Sequence, residues 1–227
     1  MAVIKTPVVI INLKTYPQAT GEKAVLLAQT CERVSKQYDV PIVVAPQIPD
    51  VYRVSKAVEI PVFSQHMDPG APGRFTGHTL GETLVEAGCS GTLLNHSENR
   101  MVLADIEAAV AKARNLNLYT VVCTNNPAVS VAAATLNPDA VAVEPPELIG
   151  TGISVSQAQP EIISGTVEMI RRVNKDVVIL CGAGIGTGDD VAAAIKLGAQ
   201  GVLLASAVAK SDKPEDVLAD LVSPLKK

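Results

Sequence analysis

Tryptophan is absent from the 227 residues, and the three aromatic types together make up 3% of them. A core built on large rings is therefore excluded. The small aliphatics that dominate a 48% hydrophobic composition must fill it instead, and they suit parallel strands buried on both faces beneath packed helices. Cysteine is sparse: Cys31, Cys89, Cys123 and Cys181 stand far apart with no Cys-x-x-Cys pair. That spacing argues against a disulfide frame and fits reduced thiols in a cytoplasmic protein. Positive charge is not in excess. With 19 Lys and Arg against 23 Asp and Glu the net charge is −4, which argues against the basic footprint of a nucleic-acid binder. No apolar run approaches the roughly 18 residues of a membrane-spanning helix, so no membrane partner is expected. The opening MAVIKTPVVIINLK lacks the long apolar stretch and cleavage site of a secretory signal. No linker, low-complexity tract or strong internal repeat divides the chain, which reads as one domain over 1–227.

What is present is a series of short, bounded apolar runs. Strands are expected at 8–13, 42–46, 61–65, 91–95, 119–124, 140–144, 177–182 and 201–206. Helical patterns lie between them at 22–37, 49–58, 103–116, 127–136 and 189–199, with another from 213 to the end. Pro127 suits a first helical position. Eight apolar strands alternating with helices indicate βαβ units and a parallel sheet. Their number favours a compact α/β (β/α)8 TIM barrel over an open sheet, although such barrels typically need about 250 residues. In a barrel of this kind the active site sits at the C-terminal strand ends.

The polar residues at those ends form a set. The first strand runs into NLKTY, where Asn12 and Lys14 share a face if the segment is extended. The fourth runs into NHSENR, where His96 and Glu98 share a face. If a helix starts there, its N-terminus disfavours a protonated imidazole. The sixth ends in VEPPELIGTG: Glu144, then two prolines, then Gly-Thr-Gly, the pattern of a stiffened lid closing over a ligand. The seventh ends in CGAGIGTGDD, a glycine-rich turn that fits no dinucleotide fingerprint. Its backbone N–H groups suit an anion. The eighth runs into Ala205 and Ser206, small enough for close backbone approach. Each residue alone has a plainer reading: Lys14 a solvated lysine, His96, His66 and His78 surface histidines, Glu144 a rim carboxylate, the glycines tight packing. Together they suffice for proton abstraction beside a carbonyl in a small phosphorylated substrate, with Glu as base and His and Lys stabilising charge on oxygen. No metal cluster or nicotinamide motif is visible, so neither metal nor cofactor is expected.

These motifs, in this order, resemble the triosephosphate isomerase family, its short archaeal form in particular, from end to end. NLKTY is similar to the family's Asn-x-Lys strand, NHSENR to its His-Ser-Glu motif, VEPPELIGTG to its lid and QHMDPGAPGRFTGH to its third loop. The resemblance implies interconversion of D-glyceraldehyde 3-phosphate and dihydroxyacetone phosphate, in glycolysis and gluconeogenesis. It implies Glu144 as the base, His96 as neutral electrophile, Lys14 neutralising negative charge with Asn12 assisting, and Glu98 pairing with Lys14. It implies phosphate held by the backbone at Ile149, Gly150, Gly184, Ala205 and Ser206. It also implies a homo-oligomer, a tetramer with Thr76 near a neighbouring subunit.

The chain departs from the family pattern. Asn95 stands where Gly usually precedes the His, and Glu147 where the lid usually has Trp. Cys181 and Gly184 replace the usual Tyr and Ser after strand 7, and Ala205-Ser206 the usual Gly-Gly after strand 8. Backbone contacts survive such changes and side-chain contacts do not. Two other readings stay open: another phosphosugar-binding barrel isomerase, and a non-catalytic barrel scaffold.

Overall fold

The structure, a computed structural model, describes residues 4–145 and 159–226. The lid tip, including the expected phosphate contacts Ile149 and Gly150, lies outside the described residues. Along the chain come β1 (Val8–Asn12), α1 (Glu22–Tyr38), β2 (Ile42–Ala45), α2 (Ile48–Ser55), β3 (Phe63–Ser64), α3 (Gly81–Glu86), β4 (Gly91–Leu94), α4 (Leu103–Asn115) and β5 (Tyr119–Thr124). Then follow α5 (Pro127–Ala134), β6 (Ala140–Val143), α6 (Pro160–Val173), β7 (Val178–Gly182), α7 (Gly188–Lys196), β8 (Gly201–Leu204), α8 (Ser206–Ala209) and α9 (Pro214–Val222).

The strands pair in the order β2-β1-β8-β7-β6-β5-β4-β3, and each pair is parallel. The two remaining edges meet at one parallel bridge, Val44 to Val62, with Val44 N–H donating to Pro61 O at 3.2 Å. The result is a nearly closed (β/α)8 barrel. Side-chain alternation gives it an inner core and an outer shell. Val8, Ile10, Val43, Phe63, Leu93, Val121, Leu180 and Leu203 belong to the inner cluster. Val9, Ile11, Val44 and Val202 pack outward under the helices. Large and small side chains compensate across the interior. Phe63 stacks on Tyr119 with centroids 5.7 Å apart, and this is possible because Gly91 carries no Cβ, which would lie 2.5 Å from the Phe63 ring.

Local sequence explains several boundaries. Asn126 caps α5 by accepting from Val129 N–H at 2.9 Å, with Pro127 in the first turn. Thr187 and Asp190 form a capping box at the start of α7. Strand ends were overextended in the sequence reading. The run at 61–65 yields only Phe63–Ser64, since Pro61 has no N–H to give a ladder and the Gln65 side chain bonds across to Lys14 O and Ala45 O. The run at 201–206 stops at Leu204, and Ser206 opens a four-residue helix. Helices α3, α6 and α8 were not anticipated.

Candidate active site

The inward file of each strand continues past its end, and there it turns polar. Asn12 follows Val8 and Ile10 by steps of two, and Glu144 follows Ala140 and Ala142 in the same way. Both are buried. With Lys14, His96, Gly184, Ala205 and Ser206 they line a cavity of about 260 Å³. Seven of the sequence-selected residues thus meet at one mouth. Glu98 lines an adjoining hollow shared with Lys14 and His96.

Lys14 is not extended. Its φ is 47°, a left-handed conformation that costs a non-glycine residue roughly 1 kcal/mol or more. Two side chains hold it there. Asn12 Oδ1 accepts from Lys14 N–H at 2.9 Å, and Gln65 Nε2 donates to Lys14 O at 2.9 Å. The Lys14 ammonium lies 2.5 Å from Glu98 Oε1. The pair is asymmetric: the Lys14 side chain is 13% exposed and Glu98 58%, so one partner of the bond remains hydrated.

His96 lies in a turn and not at a helix start, because α4 begins only at Leu103. The helix-terminus argument for its charge state therefore falls. A contact within the turn sets the tautomer of the ring. Glu98 N–H donates to His96 Nδ1 at 3.2 Å, which makes Nδ1 an acceptor and leaves the ring proton on Nε2. Nε2 lies 3.8 Å from Glu144 Oε1. The preceding Asn95 has φ 57°, which explains why glycine or asparagine suits this position. Its amide donates to Cys123 O at 2.9 Å and accepts from Met101 N–H at 2.9 Å, stitching the β4 loop to the end of β5.

Glu144 N–H donates to Thr124 O at 2.7 Å, anchoring it to β5. Its Oε2 is buried with no hydrogen-bond partner among the described residues. Gly182 makes room for the side chain: a Cβ there would overlap Glu144 Cγ and sit 2.9 Å from Oε1. Two thiols flank the carboxylate. Burial first, and then the Glu144 charge beside it, hold the Cys123 thiol well above its ordinary range. Burial, then Asp190 and Glu144, raise Cys181 likewise. Both stay S–H at neutral pH, so neither adds negative charge next to Glu144.

The glycine-rich turn after β7 is shaped by Asp190. Its Oδ2 accepts from Gly186 N–H at 3.0 Å, Thr187 N–H at 2.9 Å and Thr187 Oγ1 at 3.0 Å. Asp220 Oδ2 takes Gly188 N–H at 2.7 Å. Among the described residues the N–H groups of Gly184 and Ile185 meet no acceptor. They are donors open to an anion in the cavity. His66 and His78 have a partner: their rings lie 3.2 and 3.3 Å from Asp68 Oδ1. Burial pushes the Asp68 carboxyl up, but Thr79 N–H and the two imidazoles outweigh it, and its pKa lies below the ordinary value.

Sequence reasoning missed Gln65, Asp190, Tyr16 and Lys210. Gln65 was findable, as a polar residue two steps beyond inward-facing Phe63. Asp190 was findable from Thr187-x-x-Asp190. Tyr16 and Lys210 line the cavity but carry no sequence signal.

Fold and site together define an enzyme-type (β/α)8 barrel with its polar cluster at the C-terminal strand ends. The sequence profile of triosephosphate isomerase matches residues 7–223. The triosephosphate isomerase of Methanosarcina acetivorans is 52% identical over 217 residues, 96% of this chain and 98% of that protein. That of Methanobrevibacter smithii is 53% identical over 98% of this chain and 100% of its own. That of Methanothermobacter thermautotrophicus is 55% identical over 96% of this chain and 95% of its own. The chain belongs to the triosephosphate isomerase family and is an isomerase.

Proposed function

We propose that this isomerase interconverts D-glyceraldehyde 3-phosphate and dihydroxyacetone phosphate through an enediolate, in glycolysis and gluconeogenesis. The observation that carries the reading is the approach of Glu144 Oε1 to His96 Nε2, 3.8 Å apart on one cavity wall with Lys14. Glu144 takes a proton from the carbon next to the carbonyl. The C–H electron pair becomes the C=C bond, and the carbonyl pair moves onto oxygen. His96 Nε2–H donates to that oxygen, and the Lys14 ammonium stabilises its charge. The hydroxyl on the carbon that lost its proton then gives up its own, which passes by way of His96 Nε2 to the former carbonyl oxygen, and Glu144, now protonated, returns its proton to the former carbonyl carbon as the second carbonyl forms. This Glu–His division of labour is the one known for the family, with each role set by its environment. Asn12 and Glu98 set the Lys14 conformation and ammonium position. The N–H groups at Gly184, Ala205 and Ser206, with Ile149 and Gly150 of the lid, hold the phosphate.

The enzyme acts in the cytoplasm, a reading supported by four buried, free cysteines. It acts as a homotetramer, with the loop bearing exposed Phe75 and Thr76 inserted beside a neighbouring subunit. Sedimentation equilibrium giving a monomer would overturn the assembly.

The decisive experiment is turnover of glyceraldehyde 3-phosphate by wild type and Glu144→Gln side by side. Turnover in the first and its loss in the second is the expected result. Near-normal Glu144→Gln activity removes Glu144 as base, and a folded but inactive wild type removes the reaction. Glu144→Asp, which withdraws the carboxylate by one C–C bond, should retain about 1% of activity.

A further inference from the structure

Lys210 follows α8 directly, and it lines the same cavity as Lys14, Glu144 and Gly184. Its ammonium sits 5.6 Å from the centroid of the Tyr16 ring, and Tyr16 lines the cavity too. No carboxylate pairs with Lys210 among the described residues. The contrast with the other cavity lysine is informative. Lys14 is matched at 2.5 Å by Glu98, so this pair is nearly neutral seen from a distance. His96, accepting at Nδ1, adds no charge. Among the described residues that line the cavity, Lys210 apart, what remains is Glu144, a carboxylate when it acts as base. That lining without Lys210 carries a net charge of −1, in a chain whose own net charge is −4, and would repel a phosphate dianion. An ammonium at the rim, with no carboxylate partner among the described residues, cancels that charge and places the cation on the phosphate side. An aromatic ring is a suitable holder, because it attracts a cation without cancelling its charge.

We propose that Lys210, held by the Tyr16 ring, is the cation that draws and retains the phosphate group of the substrate at the β8 side of the cavity. It is a binding and specificity residue for phosphorylated ligands and takes no part in proton transfer. The proposal rests on the triose-phosphate reading only for the identity of the ligand, since the charge argument requires only a phosphomonoester. Lys14 has a different duty, at the reacting oxygen, and its pairing with Glu98 leaves less of its field for the phosphate.

The test is calorimetric binding of 2-phosphoglycolate, at low and high salt, to wild type, Lys210→Gln, Lys210→Arg and Tyr16→Leu. Removing a rim cation from a dianionic ligand should weaken binding about tenfold at low salt, with a shallower salt dependence. Lys210→Arg should stay within about twofold of wild type, since the charge remains. Tyr16→Leu should fall between the two, because the charge survives without its holder. Lys210→Gln binding as wild type does, with the same salt dependence, overturns the proposal. So does a loss equally large in Lys210→Arg, which would make the effect one of packing. A wild type that binds 2-phosphoglycolate in a Lys210-dependent way but isomerises nothing upholds this proposal and removes the triose-isomerase reading. Lys210 is exposed, so folding should survive, and a thermal melt of each variant verifies it.

Discussion

Gly182 shows how far a single missing atom shapes this site. Its Cβ would occupy the space of the Glu144 side chain, so Gly182→Ala should leave the barrel folded and push the carboxylate aside. A displacement of about 1 Å at a reacting group can cost ~100-fold in rate. Turnover should drop by that order, while far-ultraviolet circular dichroism stays as in wild type. Full activity would mean that Glu144 has room to spare. From sequence alone, Gly182 looked like part of an anion cradle. The structure assigns it a steric task toward a residue 38 positions earlier, and no local pattern could announce that. Asn12 and Glu144 were legible because alternation extends a strand's inward file past its end. Lys14 was legible as a candidate for the wrong reason: an extended segment was assumed, whereas its left-handed φ of 47° depends on Gln65 arriving from β3.

Among the elements, the turn joining β7 to α7 is the most constrained by one side chain. Asp190 gathers two backbone N–H groups and a hydroxyl and closes the capping box of α7. Asp190→Ala removes the cap and leaves these partly exposed donors to water, which should cost about 1 kcal/mol of stability, readable as a lower urea midpoint with unchanged slope. The same change frees the turn that presents Gly184 and Ile185, so KM should rise more than kcat falls. A kcat effect alone would separate this turn from ligand binding. Helices α1, α4, α5 and α7 were readable from periodicity and caps. Helix α6 has equally good amphipathic residues but follows directly on the glycines and prolines of the lid motif, which read as loop. The polar run after β4 was compatible with a turn or a short helix, and the Glu98 N–H bond to the His96 ring accompanies the turn.

For the whole molecule, the four buried thiols set the alkaline limit. Burial raises Cys31 and Cys89 from an ordinary 9.0 to about 12, and Cys123 and Cys181 shift the same way. Thiols raised in the fold contribute stability that is fully present below the unfolded value. That contribution is lost as pH rises from about 9 through the folded values, because only the unfolded chain ionises there. Denaturation midpoints should therefore fall steadily above pH 9, and Ellman's reagent should label the native protein at pH 8 far more slowly than the unfolded chain. Rapid labelling of the native state would contradict the burial. On the acid side Asp68 has the opposite sign: its lowered pKa contributes above the unfolded value of 3.8 and is lost as pH falls through the folded one.

The sequence by itself determined the architecture and singled out the candidate reacting groups. Apolar runs of fixed length with helical spacing between them admit few packings other than a barrel. A carboxylate, an imidazole and an ammonium at strand ends are chemically conspicuous wherever they lie. Tertiary structure alone decided how those groups are tuned. The strained backbone of Lys14, the space for Glu144 and the seat of Lys210 against the Tyr16 ring all depend on atoms brought together from distant segments. Such contacts are set by closing the barrel, a long-range event that leaves no periodic trace along the chain.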